Sequence, residues 1–328
     1  MEKTYWQIAG GSYGRNYEDI FLRYGMAFVG EGDYGNTIKE INEGDIILLK
    51  RGLTKIIAAG EVVKRNGKSH NGVGDKSWLN FDGWGLNAYC YVDWHMPEKP
   101  KEISGLVRRA IARIKKEHIK ESVDEVIEKE DLVKIEEEPN IEDISIVEDN
   151  DIIKMLIKEG VKPSEAFNII NNIKEIKVLA SYYYENDWNV LEFETRTFLI
   201  IPLLITLGWS QLQIKIEKDK NDIMLYSKPY KADENEVKCI IETKKLSEGL
   251  DDAANQVIKY AKDYPSCQVL AVSNGHCYKI YIRSKSGDFN HERPSASLNL
   301  FNMLDKDIHL PEYIGGALEV LKYLMPIR

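Results

Sequence analysis

Ile240-Ile241-Glu242-Thr243-Lys244 decides how this chain is read. The apolar run over residues 237–241 predicts a buried strand, and an acid and a lysine two residues apart close it. Side chains alternate along a strand, so Glu242 and Lys244 share one side of the sheet. A carboxylate and an ammonium held together can bind a divalent cation and orient a water beside it, which phosphodiester hydrolysis requires. In a chain with 30% charged residues the triplet also arises by chance, so its weight comes from its surroundings.

Residues 187–328 alternate between strand and helix patterns. A long apolar helix is predicted over 191–207, ending at Gly208. Strands follow over 212–216 and 222–226, then the strand over 237–244. A helix over 247–264 is stopped by Pro265, and strands over 269–272 and 278–282 flank the turn signal Asn274-Gly275. Asp222 opens one strand and Glu242 closes the next, so on adjacent antiparallel strands their carboxylates converge. A helix acid, Glu192 or Glu194, can add another oxygen, and hard cations take oxygen ligands. Taken singly, Asp222 and Glu242 are ordinary solvated strand ends and Gln256 an exposed helix residue. Arg196 reads as the ion-pair partner of a neighbouring carboxylate.

The joint order Glu192-Phe193-Glu194-Thr195-Arg196, Ile201-Pro202-Leu203-Leu204, Gly208-Trp209, Asp222, Ile241-Glu242-Thr243-Lys244, Gln256-Val257-Ile258-Lys259-Tyr260 and Val272-Ser273-Asn274-Gly275 resembles the PD-(D/E)XK nuclease superfamily. Within it, the pattern is similar to the N-terminal nuclease domain of type I restriction enzyme R subunits. The resemblance covers roughly residues 190–283. It implies a restriction-endonuclease-like α/β fold with a mixed sheet and one site built from Glu192, Asp222, Glu242, Lys244 and Gln256. Asp222, Glu242 and Glu192 would hold Mg²⁺, with Mn²⁺ able to substitute, and Lys244 would position the attacking water. Asn221 stands where the motif's proline would be. No G-x-x-x-x-G-K-[ST] occurs, so no ATP-driven motor is expected.

Residues 1–97 are rich in Gly, Trp and Tyr. Short strands over 6–9, 26–29, 46–49 and 56–63, a helix over 17–24 and glycine turns predict a small β-barrel. Trp6-Gln7-Ile8-Ala9-Gly10-Gly11-Ser12-Tyr13-Gly14-Arg15, Phe28-Val29-Gly30, Gly44-Asp45-Ile46-Ile47-Leu48 and Ile57-Ala58-Ala59-Gly60-Glu61-Val62 look like an EVE-type domain of the PUA-like superfamily. That resemblance implies a pocket for a flipped-out, modified base, since an extruded base gains stacking and edge hydrogen bonds. Trp6, Tyr13, Tyr24 and Trp84 are candidate walls, although Trp6 and Tyr24 also suit a core; Ser12, Arg15 and Asp33 are candidate polar contacts. His70 and His95 are too isolated for a zinc site.

Residues 98–186 read as a helical and acidic linker. Ile103, Leu106, Val107, Ala110, Ile111 and Ile114 recur at helical spacing, Pro163-Ser164-Glu165 starts a second helix, and the stretch 130–151 reads as exposed. The formal net charge is −9. Residues 129–151 hold ten Asp and Glu against two Lys, a balance of −8, which leaves about −1 for the rest of the chain. An acidic total therefore does not exclude a nucleic-acid partner. The four cysteines form no CxxC pair, the N-terminus carries no signal-peptide pattern and no apolar run reaches membrane length, so a cytoplasmic protein is expected. The combined expectation is a multidomain α+β, modification-dependent DNA endonuclease acting as a homodimer, since one site cuts one strand. An RNA- or damaged-DNA-directed nuclease and an inactive nucleic-acid reader are the alternatives.

Overall fold

The computed structural model describes residues 3–11, 13–30, 33–65, 67, 88–139, 144–186, 189–229, 236–290, 293–307 and 314–326. The fold is mixed α+β, with two compact units: Met1–Ser12 with Asn16–Pro139, and Tyr13–Arg15 with Asn140–Arg328.

The first unit contains β1 (Tyr5–Ala9), α1 (Glu18–Tyr24), β2 (Met26–Val29), α2 (Asp33–Ile38), β3 (Ile46–Arg51), β4 (Lys55–Val63), β5 (Ala88–His95), β6 (Lys101–Glu102), β7 (Ile111–Arg113) and α3 (Glu117–Lys129). The strands form one mixed sheet in the order β2-β5-β4-β3-β1-β7, with β6 on β4; β1 and β3 run parallel. α3 packs Ile119, Val123 and Val126 against Ile46, Leu48, Ile56 and Ala59. The expected helix around residues 103–114 does not form. Gly105 has a left-handed backbone (φ +97°), and residues 111–113 instead pair as β7 along the open edge of β1. An unpaired edge strand outweighs a weak helical period.

The second unit contains α4 (Asp149–Lys158), α5 (Pro163–Asn186), α6 (Glu192–Thr195), a π-helical turn (Arg196–Ile200), α7 (Ile201–Thr206), β8 (Ile214–Lys218), β9 (Asn221–Tyr226), β10 (Val237–Thr243), α8 (Asp251–Ala261), β11 (Val269–Ser273), β12 (Cys277–Ile282), β13 (Ala296–Asn299), β14 (Lys306–Asp307), β15 (Ile314–Gly315) and α9 (Ala317–Leu324). Its mixed sheet has the order β14-β15-β13-β12-β11-β10-β9-β8. β10 is buried on both faces. Cys239 and Ile241 join a core built with α5, α7 and α9; Val237 and Ile240 join one built with α8. This explains the near-continuous apolar run that marks β10 in the sequence.

The expected linker over 98–186 is not a separate element. Its first part, to Pro139, belongs to the first unit, where Val133 N donates to Trp94 O and Glu136 N to Arg23 O, both at 2.8 Å. Its second part supplies α4 and α5, and α5 buries Ala166, Ile169, Ile170, Ile173, Ile176 and Ala180 in the second core. No helix among the described residues is long and apolar enough to cross a membrane. All four cysteines are free thiols and buried.

His276 is wholly buried, stacked on Phe301 at 4.8 Å and edge-on to Tyr184 at 5.9 Å. Neither ring nitrogen has a hydrogen-bond partner. Burial, helped by the Arg15 guanidinium, pulls its pKa down to about 3. The folded chain keeps this ring neutral where the unfolded chain protonates it. The stability it contributes is whole above the unfolded pKa of about 6.5, and falls by about 1.4 kcal/mol per pH unit below it, until the folded ring titrates. Chemical denaturation between pH 7 and 4 should show this slope, and His276→Phe should flatten it by one proton's worth.

Candidate active site

β9 and β10 are antiparallel, with Ile223 opposite Ile241 and Met224 opposite Ile240. The same register makes Asp222, which opens β9, and Glu242, near the end of β10, the next pair. Glu242 is buried, and Lys244 Nζ donates to its Oε1 at 2.7 Å. Lys244 lies just past the strand, and its own N–H donates to Ser273 O at 2.8 Å. This main-chain tie to the neighbouring strand holds the lysine beside its glutamate.

Asp222 is held from two sides. Its Oδ2 accepts from Thr243 N (2.6 Å) and Thr243 Oγ1 (2.9 Å), and its Oδ1 accepts from Arg196 (3.2 Å). Thr243 Oγ1 also lies 3.3 Å from Glu192 Oε1. A hydroxyl has one proton to give, and the shorter contact takes it to Asp222. Glu194 turns away and accepts from Leu191 N at 3.0 Å, capping its own helix. Of the two candidate helix acids, Glu192 is the one that reaches the cluster.

The electrostatics agree with this geometry. Burial raises the Glu192 carboxyl, and the Asp222 charge raises it further. Burial likewise raises Glu242; the bond from Lys244 pulls it back, and Asp222 and Glu192 push it up again. Burial alone would lower Lys244, but its bond to Glu242 and the attraction of Glu242, Glu192 and Asp222 leave it above its usual value. Burial is the main cause of the two carboxyl shifts, and the neighbouring carboxylates push all three groups toward holding their protons.

Compared with family models and with curated proteins, this chain matches none.

The expected set of three metal-binding carboxylates is not assembled. Among the described residues, no three Asp, Glu, His or Cys side chains converge to hold a metal, because Thr243 stands between Glu192 and Asp222 while Lys244 occupies Glu242. Mg²⁺ needs only one or two protein carboxylates, with waters and substrate oxygens completing its shell. Asp222 and Glu242, all-oxygen donors in a negatively charged site, fit that requirement. Gln256 sits on α8, half-buried, and makes no hydrogen bond to the cluster.

The base-pocket expectations fare differently. Trp6 is a core residue, 1% exposed; its Nε1 donates to Asp45 Oδ2 at 3.1 Å, and the Arg113 guanidinium lies 4.8 Å from its ring centre. With its face and edge engaged it is not a stacking wall, and Tyr24 is also buried. Tyr13 and Arg15 belong to the second unit. Tyr13 is 77% exposed with a left-handed backbone, whereas Arg15 is buried and donates to Ser247 O at 2.8 Å. Ser12, Trp84, His70 and the Asp33 side chain lie outside the described residues.

Sequence reasoning missed two contributors. Thr243, the middle of the triplet, was given no role. Glu217, which accepts from the second arm of Arg196 at 2.5 Å, carried no signal because its backbone geometry, not its residue type, brings it there.

Proposed function

We propose that the second unit is a Mg²⁺-dependent phosphodiesterase and that the chain is a modification-dependent DNA endonuclease. The observation that carries the reading is that Asp222 and Glu242 are neighbours across β9 and β10, with Glu242 buried against Lys244 at 2.7 Å and Glu192 reaching Thr243, the residue that binds Asp222. An ion pair that only stabilised the fold would not need Glu192 close by, its carboxyl raised by burial and by the Asp222 charge. Asp222 and Glu242 would hold the metal, which when bound polarises the phosphate and acidifies a coordinated water. Lys244, protonated at neutral pH, binds a non-bridging phosphate oxygen or the attacking water and offsets charge as the phosphorus centre crowds. Glu192, one hydroxyl away through Thr243, accepts the proton that the water loses.

The reading of a modified base is assigned to the first unit on the sequence resemblance of residues 1–97. Such a base, flipped from the stack, would be held by aromatic faces and edge contacts. A DNA partner, a homodimer for double-strand cutting and a role against foreign DNA belong to the same proposal.

The test is cleavage of unmodified, cytosine-methylated and hydroxymethylated DNA and of RNA, each with Mg²⁺ and with Mn²⁺. Modified DNA should be cut at least about tenfold faster than plain DNA. Equal rates on plain and modified DNA would remove the sensing role, and preference for RNA would redirect the substrate assignment. No cleavage of any substrate, with Glu242→Ala binding nucleic acid as wild type does, would leave a reader with a silent nuclease fold.

A further inference from the structure

Arg196 occupies an unusual position. It opens the π-helical turn that interrupts the α6–α7 helix, and its side chain is only 8% exposed. One arm donates to Asp222 Oδ1 at 3.2 Å and the other to Glu217 Oε1 at 2.5 Å. Glu217 is 70% exposed at its side chain and lies on β8 opposite Asp222, between the pairs Ile216–Ile223 and Lys218–Asn221. Two carboxylates facing each other across antiparallel strands repel, and Arg196 bridges them.

The backbone at this place is strained. Glu217 has φ +52°, and Asp219 and Lys220, the hairpin turn that follows, have φ +53° and +69°. A left-handed non-glycine residue costs about 1–2 kcal/mol, and such strain persists where surrounding contacts over-determine it. A π-helical turn is likewise a rare feature that concentrates at functional sites. The two irregularities meet in one ion-pair chain: the π-helical turn carries Arg196 to Asp222, and Glu217 binds the other arm of Arg196.

We infer that Arg196, steered by Glu217, is a positioning residue that fixes Asp222 as a single-oxygen ligand; the inference rests on the metal-nuclease reading. Oδ2 of Asp222 spends both acceptor sites on Thr243, and Oδ1 spends one on Arg196. One lone pair, on Oδ1, remains. Arg196 thus sets both the orientation of the carboxylate and the number of bonds it can offer a cation. It does so at a cost in cation affinity, because a guanidinium beside the ligand repels a divalent ion.

Two measurements separate this role from general support of the fold: Mn²⁺ affinity by titration calorimetry, and turnover at saturating Mg²⁺ on the best substrate of the panel above. Arg196→Gln should bind Mn²⁺ about three- to tenfold tighter, since a repelling charge is gone, while turnover falls about 100-fold because the ligand is no longer oriented. Arg196→Lys keeps the charge without the two-armed geometry, so its Mn²⁺ affinity should return to within about twofold of wild type while turnover stays at least about tenfold down. Glu217→Gln, at a side chain 70% exposed, should lower turnover about fivefold with Mn²⁺ affinity within about twofold of wild type. Weaker Mn²⁺ binding together with slower turnover in Arg196→Gln would overturn the inference, as would unchanged turnover in Glu217→Gln. A wild-type chain that binds no Mn²⁺ would overturn the metal reading and this inference with it; wild-type binding with all three variants unchanged would overturn this inference alone.

Discussion

Lys244→Ala should lower cleavage by about 10³-fold, the scale of losing a preorganised charge at a developing negative centre, while nucleic-acid affinity stays within about threefold, as for the loss of one phosphate contact. The side chain is 17% exposed and paired with a glutamate only 4% exposed, so little water is present to replace it. Its ammonium is held by Glu242 through a bond and by the Asp222 and Glu192 charges through attraction. Removing it leaves three carboxylates with Arg196 as their remaining close cation, and the substrate phosphate would meet them without a partner. Single-turnover cleavage with saturating enzyme isolates the chemical step from binding. Retention of more than about a tenth of wild-type cleavage would place Lys244 outside the chemistry. Lys244→Arg should recover less than the conserved charge suggests, because a planar guanidinium does not occupy the same point.

Gly275→Ala should destabilise the second unit by about 3 kcal/mol, combining left-handed strain with overpacking. Gly275 has φ +93°, and a Cβ there would come within 2.7 Å of Leu199 Cδ1 and 2.8 Å of Thr195 Cγ2. Neither neighbour can retreat: both are fully buried, Leu199 within the π-helical turn and Thr195 immediately before it. The turn is also tied at its own base, where Gly275 N donates to Ser273 Oγ at 3.0 Å. Urea denaturation of the wild type and variant gives the difference. A loss below about 1 kcal/mol would mean that the helix carrying Glu192 yields more readily than close packing allows. Because that helix holds one of the four clustered side chains, the surviving folded variant should also cut more slowly.

The Asp222–Glu242–Lys244 cluster was legible because its signals are local and mutually consistent. A two-sided apolar strand, a two-residue acid–lysine spacing and an Asn-Gly turn each have one dominant structural meaning, and β10, its register against β9 and the turn at Gly275 follow from them. Choosing between Glu192 and Glu194 was beyond the sequence, since both lie in the first helical turn and only the cap at Leu191 separates them. The π-helical turn was equally hidden: it adds a residue to a helix without changing composition. The segment 103–114 was misread because six apolar residues at helical spacing also suit an irregular strap ending in a three-residue strand, and the edge of β1 settled the matter. In the first unit, Trp6 illustrates a different limit. An aromatic residue in a short strand looks the same whether it faces a ligand or the core, and here its indole N–H was claimed by Asp45.

The burial of β10 on both faces has a consequence for how damage would present in a cell. The strand that carries the acid and ends one residue before the lysine is also shared by the two hydrophobic clusters. A substitution that displaces its end must disturb at least one of them. Most lesions in β10 would therefore surface as scarce protein, cleared by proteolysis after unfolding, rather than as plentiful protein with an altered site. Inert variants that still accumulate should come from the polar fringe at Lys244, Glu192 and Arg196.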